Sequence, residues 1–132
     1  MLARLRDALI GCALVSASAH AQDAALADFF RGKTVTFTIN FTVGGSTDLE
    51  GRLWAKHLRK HLPGQPNIIV QNMGGAGGTI GTNWLGQVAR PDGLTIGYLT
   101  GSAGKQAMGE SQLVDVNTLT YIGNSPGVNF EE

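Results

Sequence analysis

The 132-residue sequence contains one cysteine, four prolines and few charged residues, and each scarcity excludes a class of protein. A lone Cys12 forms no intramolecular disulfide and supplies no cysteine cluster for a metal. Lysine plus arginine and aspartate plus glutamate number ten each, and basic residues cluster only at one helix end, so no nucleic-acid partner is expected. Hydrophobic residues make up 42% of the chain and charged residues 15%, which excludes a disordered charged tail.

Glycine, by contrast, is abundant. It occupies 19 of the 132 positions, about twice the usual frequency of ~7%. Much of the backbone must therefore turn tightly or approach another group closely. The length accommodates one modest domain.

The first 21 residues have the layout of a secretory signal peptide. Arg4 and Arg6 precede a short apolar run, residues 8–15, and Ala19-His20-Ala21 supplies a small-residue cleavage site before Gln22. The run is shorter than the ~20 residues that span a bilayer, so no membrane insertion is expected. Residues 9–12 also resemble a lipobox, which leaves lipidation of Cys12 as an alternative. Cleavage would leave a mature chain without cysteine and with eight basic and nine acidic residues.

The mature chain is predicted to alternate strands and helices. After a short helix at 22–30, Thr34–Phe41 alternates apolar and polar residues as a strand does. Thr47 and Glu50 match a capping box that begins the next helix. A second strand, Asn67–Gln71, is apolar at its centre and is predicted to be covered on both faces. The helix between them carries an apolar stripe that is predicted to be buried, formed by Leu49, Leu53, Trp54, Leu58 and Leu62.

The second half repeats the pattern of strand, glycine-rich loop and helix. A helix with Trp84 at core spacing is followed by a third predicted strand, Leu94–Leu99, a short helix near Lys105–Met108, and a fourth predicted strand, Thr118–Ile122. Such alternation predicts an α/β domain with a parallel sheet and right-handed crossovers. The elements that normally close such a sheet do not follow, so the domain is expected to be truncated.

Three loops follow the carboxyl ends of the first three predicted strands: 43–47, 73–79 and 100–104. All three are rich in glycine and small hydroxyl residues, and each leads into a helix. Ligands of open α/β sheets bind at that edge, where backbone N–H groups favour anions. Glycines that merely permit tight turns are the alternative, but three such loops at one edge of a sheet favour a ligand. The sequence therefore predicts a site for a small carboxylate or phosphate.

Other chemistries fit the sequence poorly. A dinucleotide fingerprint that includes Gly75 and Gly77 would need glycine where Ile80 stands. A phosphate-binding P-loop fails because Gln106 follows Gly104-Lys105 and leucine occupies position 99. His57 and His61 have a spacing that can bind metal, but the basic residues around them favour a solvated helix face. No arrangement of nucleophile and base is found, so neither an enzyme nor a cofactor is predicted.

Several motifs together resemble a known family. These are Phe29–Val35, Gly44–Asp48 with Arg52, Gln71–Gly78 and Pro91–Gly93, with Leu119–Gly123 near the end. In this order and spacing they resemble the periplasmic solute-binding receptors of the tripartite tricarboxylate transporter system, the Bug receptor family. The family often has proline at the positions of Thr42 and Gly74, and these two departures are expected to loosen the loops.

The resemblance implies a periplasmic-binding-protein-like clamshell of type II, whose two lobes close on a small organic acid and present it to membrane permease subunits. It implies that Asp48 organises its loop rather than touching an anion. Family members are more than twice this long, so residues 22–132 are expected to form only the N-terminal α/β lobe. A nucleotide-binding enzyme fragment and a non-functional truncated product are the alternatives. The residues that the resemblance assigns to ligand binding are Val43, Gly44, Gly45, Ser46, Thr47, Asp48, Gly75, Ala76, Gly77, Gly78, Thr100, Gly101 and Ser102.

Overall fold

The computed structural model describes residues 22–109 and 113–123; the predicted signal peptide and its cleavage site lie outside the described residues. No helix within the described residues is long and apolar enough to cross a membrane. Two short 3₁₀ turns occur at Ala76–Gly78 and Val116–Thr118. The helices and strands, in chain order, are α1 (22–30), β1 (Thr34–Ile39), α2 (Ser46–His61), β2 (Asn67–Asn72), α3 (Thr79–Gln87), β3 (Thr95–Tyr98) and α4 (Ser102–Ala107).

The three strands form one parallel sheet in the order β2-β1-β3. The central strand pairs Phe37 with Val70 on one side and with Ile96 on the other. The predicted α/β class and parallel pairing are thereby confirmed.

Helices cover both faces of the sheet. A Cβ atom at Gly51 of α2 would lie 2.7 Å from Ile39 Cδ1 and 3.2 Å from the Tyr98 ring, which places α2 on the Ile39 face. A Cβ atom at Gly97 would overlap Leu85 of α3. Because consecutive residues of a strand point to opposite faces, Gly97 and Tyr98 assign α3 and α2 to opposite sides of the sheet.

The core lies between the sheet and α2. Val35, Phe37 and Ile39 of the central strand are nearly or completely buried, and Ala55 of α2 packs with Phe37 and Ile39. Half-buried residues surround this group: Phe41, Leu58, Ile68, Val70, Ile96 and Tyr98. The alternation predicted for the first strand therefore corresponds to the observed core, although β1 ends at Ile39 rather than Phe41.

The prediction of which face of α2 is buried is wrong. Leu49 is 66% exposed, Leu53 56% and Trp54 43%. Of the residues in the predicted apolar stripe, Leu58 is the one that packs against the core. The residues that face the sheet are the small Gly51 and Ala55, together with Asp48. Because glycine and alanine project little from the helix, α2 approaches the sheet closely along a face that hydrophobicity alone does not indicate.

The predicted capping box is also absent. Gly45 occupies the N-cap position of α2, and no side-chain capping hydrogen bond forms there. Thr47 and Glu50 both lie within the helix.

Two further predictions about strands are wrong. β2 is an edge strand of the described sheet and Ile69 is 53% exposed, so β2 is not covered on both faces. Residues 118–122 contain no strand. There, Asp115 accepts a hydrogen bond from the Asn117 backbone N–H at 3.0 Å and begins a 3₁₀ turn, a local bond that competes with strand pairing.

Candidate functional site

The three predicted loops meet at the carboxyl edge of the sheet, because all three strands run in the same direction. Together they form the strand-end site. Most of its residues are exposed, including Val43, which is 70% exposed. Gly78, Thr79 and Ser102 are the buried members, and Asp48, directly after the first loop, is buried as well.

The first loop is held by the buried carboxylate of Asp48, whose side chain is 3% exposed. Its Oδ2 accepts a hydrogen bond from the Gly44 N–H at 2.9 Å. Its Oδ1 accepts bonds from Arg52 Nε at 2.9 Å and Asn72 Nδ2 at 2.8 Å. These bonds, led by that of Gly44, lower the pKa of Asp48 from 3.8 to about 2. Asp48 therefore organises the loop.

The second loop forms a left-handed turn. Gly75, Ala76, Gly77 and Gly78 all have positive φ, between 48° and 126°. The Gly78 N–H donates to the Gly75 carbonyl oxygen at 3.0 Å and closes the turn. Ala76 has φ of 48°, a region that residues with a Cβ atom rarely occupy. Strain of this kind is often found at ligand-binding segments.

Lys105 of α4 lies against this turn. Its Nζ donates to the Ala76 carbonyl oxygen at 2.9 Å and to Thr79 Oγ1 at 3.0 Å. A Cβ atom at Gly77 would lie 3.0 Å from the same Nζ. The site thus contains a positive charge that the glycine motifs did not reveal, since Lys105 is 28 positions from Gly77 in the sequence.

Asn40, at the end of β1, joins the second and third loops. Its side chain is fully buried. Its Oδ1 accepts a bond from the Thr100 N–H at 3.0 Å, and its Nδ2 lies 3.1 Å from the Thr100 oxygen and 3.4 Å from the Gly78 oxygen. Sequence reasoning missed Asn40. The only available signal was an asparagine at the last polar position of the predicted strand Thr34–Phe41, next to the edge where the loops converge.

Ser102 takes part in the same buried network. Its Oγ lies 2.7 Å from Thr82 Oγ1, and Thr82 donates to the Gly78 oxygen at 3.0 Å. Because Ser102 is only 5% exposed, its hydroxyl supports the loops from within. The neighbouring Thr100 and Gly101 are exposed.

Thr42 and Gly74, the two positions where the sequence departs from the family pattern, lie against each other. A Cβ atom at Gly74 would lie 2.7 Å from Thr42 Cγ2 and 2.8 Å from the Thr42 nitrogen. Asn72 adds a second link by donating to the Phe41 oxygen at 3.0 Å. The two departures therefore occur at residues in mutual contact.

The strand-end site combines exposed glycine backbone with a lysine and lacks an arrangement suited to metal binding. Within the described ranges, no group of three or more histidine, cysteine or acidic residues is close enough to bind a metal ion. His57 and His61 are exposed on α2, as the solvated-face interpretation predicted. Glycine N–H groups together with a lysine ammonium can bind a small anion.

Comparison with known proteins identifies relatives along most of the chain. Protein BugT of Bordetella pertussis is 36% identical over 108 residues, which are 76% of this chain and 32% of that protein. The UPF0065 protein in the gbd 5′ region of Cupriavidus necator is 35% identical over 130 residues, 98% of this chain and 38% of that protein. The chain is a relative of the Bug proteins.

The resemblance drawn from the glycine motifs is thereby confirmed for the Bug family. The chain spans about a third of the length of the curated relatives that it matches. No protein-family model matches the sequence.

Proposed function

We propose that residues 22–132 form one lobe of a Bug-family solute receptor in the periplasm, which binds a small organic carboxylate and passes it to membrane permease subunits. The protein acts by binding and carries out no reaction. The fold is that of a periplasmic-binding-protein lobe of the type II clamshell, and the second lobe is a further part of the whole receptor. Residues 1–21 act as the signal peptide.

The observation that carries this proposal is the left-handed turn Gly75–Gly78 with the Lys105 ammonium against it. The turn leaves glycine backbone exposed at the strand-end edge, and Ala76 is held in a strained conformation. Lys105 adds a full positive charge 3.0 Å from where a Cβ atom of Gly77 would lie. Carboxylates are recognised by such convergent N–H and ammonium donors.

The other two loops support the same ligand class. Gly44 and Gly45 end the first loop just before α2, and Gly101 ends the third just before α4. The buried carboxylate of Asp48 accepts bonds from Gly44, Arg52 and Asn72, and its pairing with the Arg52 cation offsets its charge toward an anion. A ligand at this edge therefore meets glycine backbone from three loops, although the Gly44 N–H itself is bonded to Asp48.

The proposal is tested by NMR on the ¹⁵N-labelled chain lacking the signal peptide. Succinate, citrate and acetate are added separately, and succinamide serves as the uncharged control of matched shape. We expect the amide resonances of Gly44, Gly77 and Gly101 to shift with at least one carboxylate and to remain in place with succinamide. Titration to about 10 mM detects a millimolar Kd, which corresponds to about −4 kcal/mol.

Three results would overturn the proposal. One is the absence of any shift across the carboxylates, and another is a set of shifts confined to the basic residues of α2. The third is a response to succinamide equal to that of succinate, since this would exclude recognition of the charge. A stronger response to adenine nucleotides would favour the nucleotide-binding alternative.

A further inference from the structure

A groove distinct from the strand-end glycines runs between α2 and the edge strand β2, and it shares Arg52 with the bonds that hold the first loop. Its volume is about 550 Å³. Arg52, Lys56, Arg59 and Lys60 line one wall, and Ile68 and Val70 form part of its floor. We call it the basic groove. No carboxylate lines it, and of its four cations Arg52 is paired with Asp48, so the groove is positively charged in a protein of formal net charge zero.

The floor of the basic groove is also the unpaired edge of the described sheet. β2 pairs with β1 alone among the described strands. The Asn67 N–H donates to the Lys33 oxygen and the Met73 N–H to the Ile39 oxygen, so odd-numbered residues of β2 face β1. Because N–H and C=O directions alternate along a strand, the backbone groups of Ile68 and Val70 point away from the sheet.

An added strand would place alternate side chains in the groove. Ile68 and Val70 are in register with Val35 and Phe37, whose side chains lie on the α2 face. Side chains of an added strand on that face would meet the cations of α2. Those on the other face would meet Ile69, which is 53% exposed.

We propose that the basic groove binds an extended acidic segment of a partner protein, which adds to β2 as a further strand. Charge complementarity selects acidic residues on the α2 side of that segment, and Ile69 selects apolar residues on its other side. Main-chain bonds to Ile68 and Val70 supply affinity, as in other cases of strand addition. This inference concerns a partner surface and stands independently of the carboxylate site.

The test measures fluorescence anisotropy of a labelled nine-residue peptide of alternating glutamate and valine, added to the chain lacking its signal peptide. We expect saturable binding that weakens with salt, since the charges are solvent-accessible. A peptide with lysine in place of glutamate should not bind. N-methylation of every second peptide bond should abolish binding in one register and preserve it in the other, because only one set of N–H groups faces β2.

Protein variants localise the binding. The double variant K56E/R59E should weaken peptide binding by about tenfold or more, as charge reversal opposes the ligand directly. Arg90→Glu, an exposed charge reversal outside the groove, should leave it unchanged. Arg52 is left intact because it bonds Asp48.

Other outcomes would overturn the proposal. Equal sensitivity to N-methylation in both registers, or none in either, would exclude strand addition. Tighter binding of phosphatidylglycerol vesicles or of a single-stranded oligonucleotide than of the peptide would assign the groove to a membrane or a nucleic acid. Peptide binding that survives K56E/R59E would place the peptide elsewhere.

Discussion

Asn40 and Thr100, sixty residues apart in the sequence, are joined by two hydrogen bonds. The Thr100 N–H donates to Asn40 Oδ1 at 3.0 Å, and Asn40 Nδ2 donates to the Thr100 oxygen at 3.1 Å. The buried amide of Asn40 thus supplies the Thr100 backbone with the donor and the acceptor that a neighbouring strand would supply. It holds the backbone after β3 against the end of β1.

Replacing Asn40 should loosen the strand-end site. In Asn40→Ala the Thr100 N–H and carbonyl oxygen lose their partner, at about 1–3 kcal/mol for each group left unpaired, whereas the Gly78 oxygen keeps its bond from Thr82. We expect a lower free energy of unfolding in urea and altered Gly78 and Thr100 amide resonances. Gln87→Ala, an exposed residue of α3, serves as the control. An unchanged unfolding midpoint in Asn40→Ala would contradict the role given to this amide.

Asp48 should make the stability of the fold depend on pH in the acidic range. Its pKa is about 2 in the folded chain against 3.8 ordinarily, so its contribution is complete above 3.8 and is lost as the pH falls towards 2. Urea midpoints measured from about pH 5 to about pH 2 should fall less steeply in Asp48→Asn than in the unmodified chain. Asp115 has a lowered pKa as well, so some pH dependence remains.

The matched control for that series is Asp23→Asn, which removes an exposed carboxylate of α1. Its profile should follow that of the unmodified chain. Parallel profiles for Asp48→Asn and the unmodified chain would show that Asp48 is not bonded as described.

Two glycines should respond oppositely to alanine. At Gly81 the new Cβ atom would lie 2.6 Å from the Met73 carbonyl oxygen and 2.9 Å from Asn40 Cα, so backbone must move. Overpacking of this kind costs about 1–3 kcal/mol. At Gly104, within α4, nothing lies within 4 Å. Gly104→Ala should be neutral or stabilise by up to about 1 kcal/mol. Calorimetry measures the melting temperatures of both variants. Equal changes in melting temperature would contradict the close packing of α3 at Gly81.

The hydroxyl of Thr38 should be dispensable. Thr38 is fully buried, and its Oγ1 has no hydrogen-bond partner among the described residues. Thr38→Val keeps the shape and removes a hydroxyl whose burial without a partner costs about 1–3 kcal/mol. We expect a higher free energy of unfolding in urea. Thr36→Val, two residues earlier on the same strand face and half-buried, should change it less. Destabilisation by Thr38→Val would reveal a partner for the hydroxyl.

Lys105 should be needed for carboxylate affinity. Lys105→Gln removes the charge beside Gly77, and hydrogen bonds to charged groups contribute about 1.5–3 kcal/mol, so affinity should fall by about tenfold or more. The NMR titration with succinate measures this. Lys33→Gln removes an equal charge before β1, at the opposite edge of the sheet, and should leave the affinity unchanged. Equal loss in both variants would indicate a general effect of net charge.

Much of the fold was predictable because its signals are local. Alternation in Thr34–Phe41 predicted the first strand, which the structure forms over Thr34–Ile39, and the glycine-rich segments predicted where strands end and helices begin. Parallel pairing followed from the order of elements, since strands separated by helices return in the same direction. The three loops of the strand-end site could therefore be placed at one edge without coordinates.

The rest depended on contacts between residues distant in the sequence. Which face of α2 is buried was decided by the small Gly51 and Ala55 against Ile39, so Leu49 and Leu53 remain exposed. Strand order, which makes β2 an edge, has no local signature.

The sequence by itself determined the type and order of the elements, the glycine loops and the kinship with the Bug proteins, because propensity and motif spacing are properties of neighbouring residues. Only the tertiary structure decided that Asn40 joins the second and third loops by hydrogen bonds, that the Lys105 ammonium lies beside Gly77, and that α2 and β2 form a basic groove. Hydrogen bonds and packing act over a few ångströms, and folding alone brings such residues within that range.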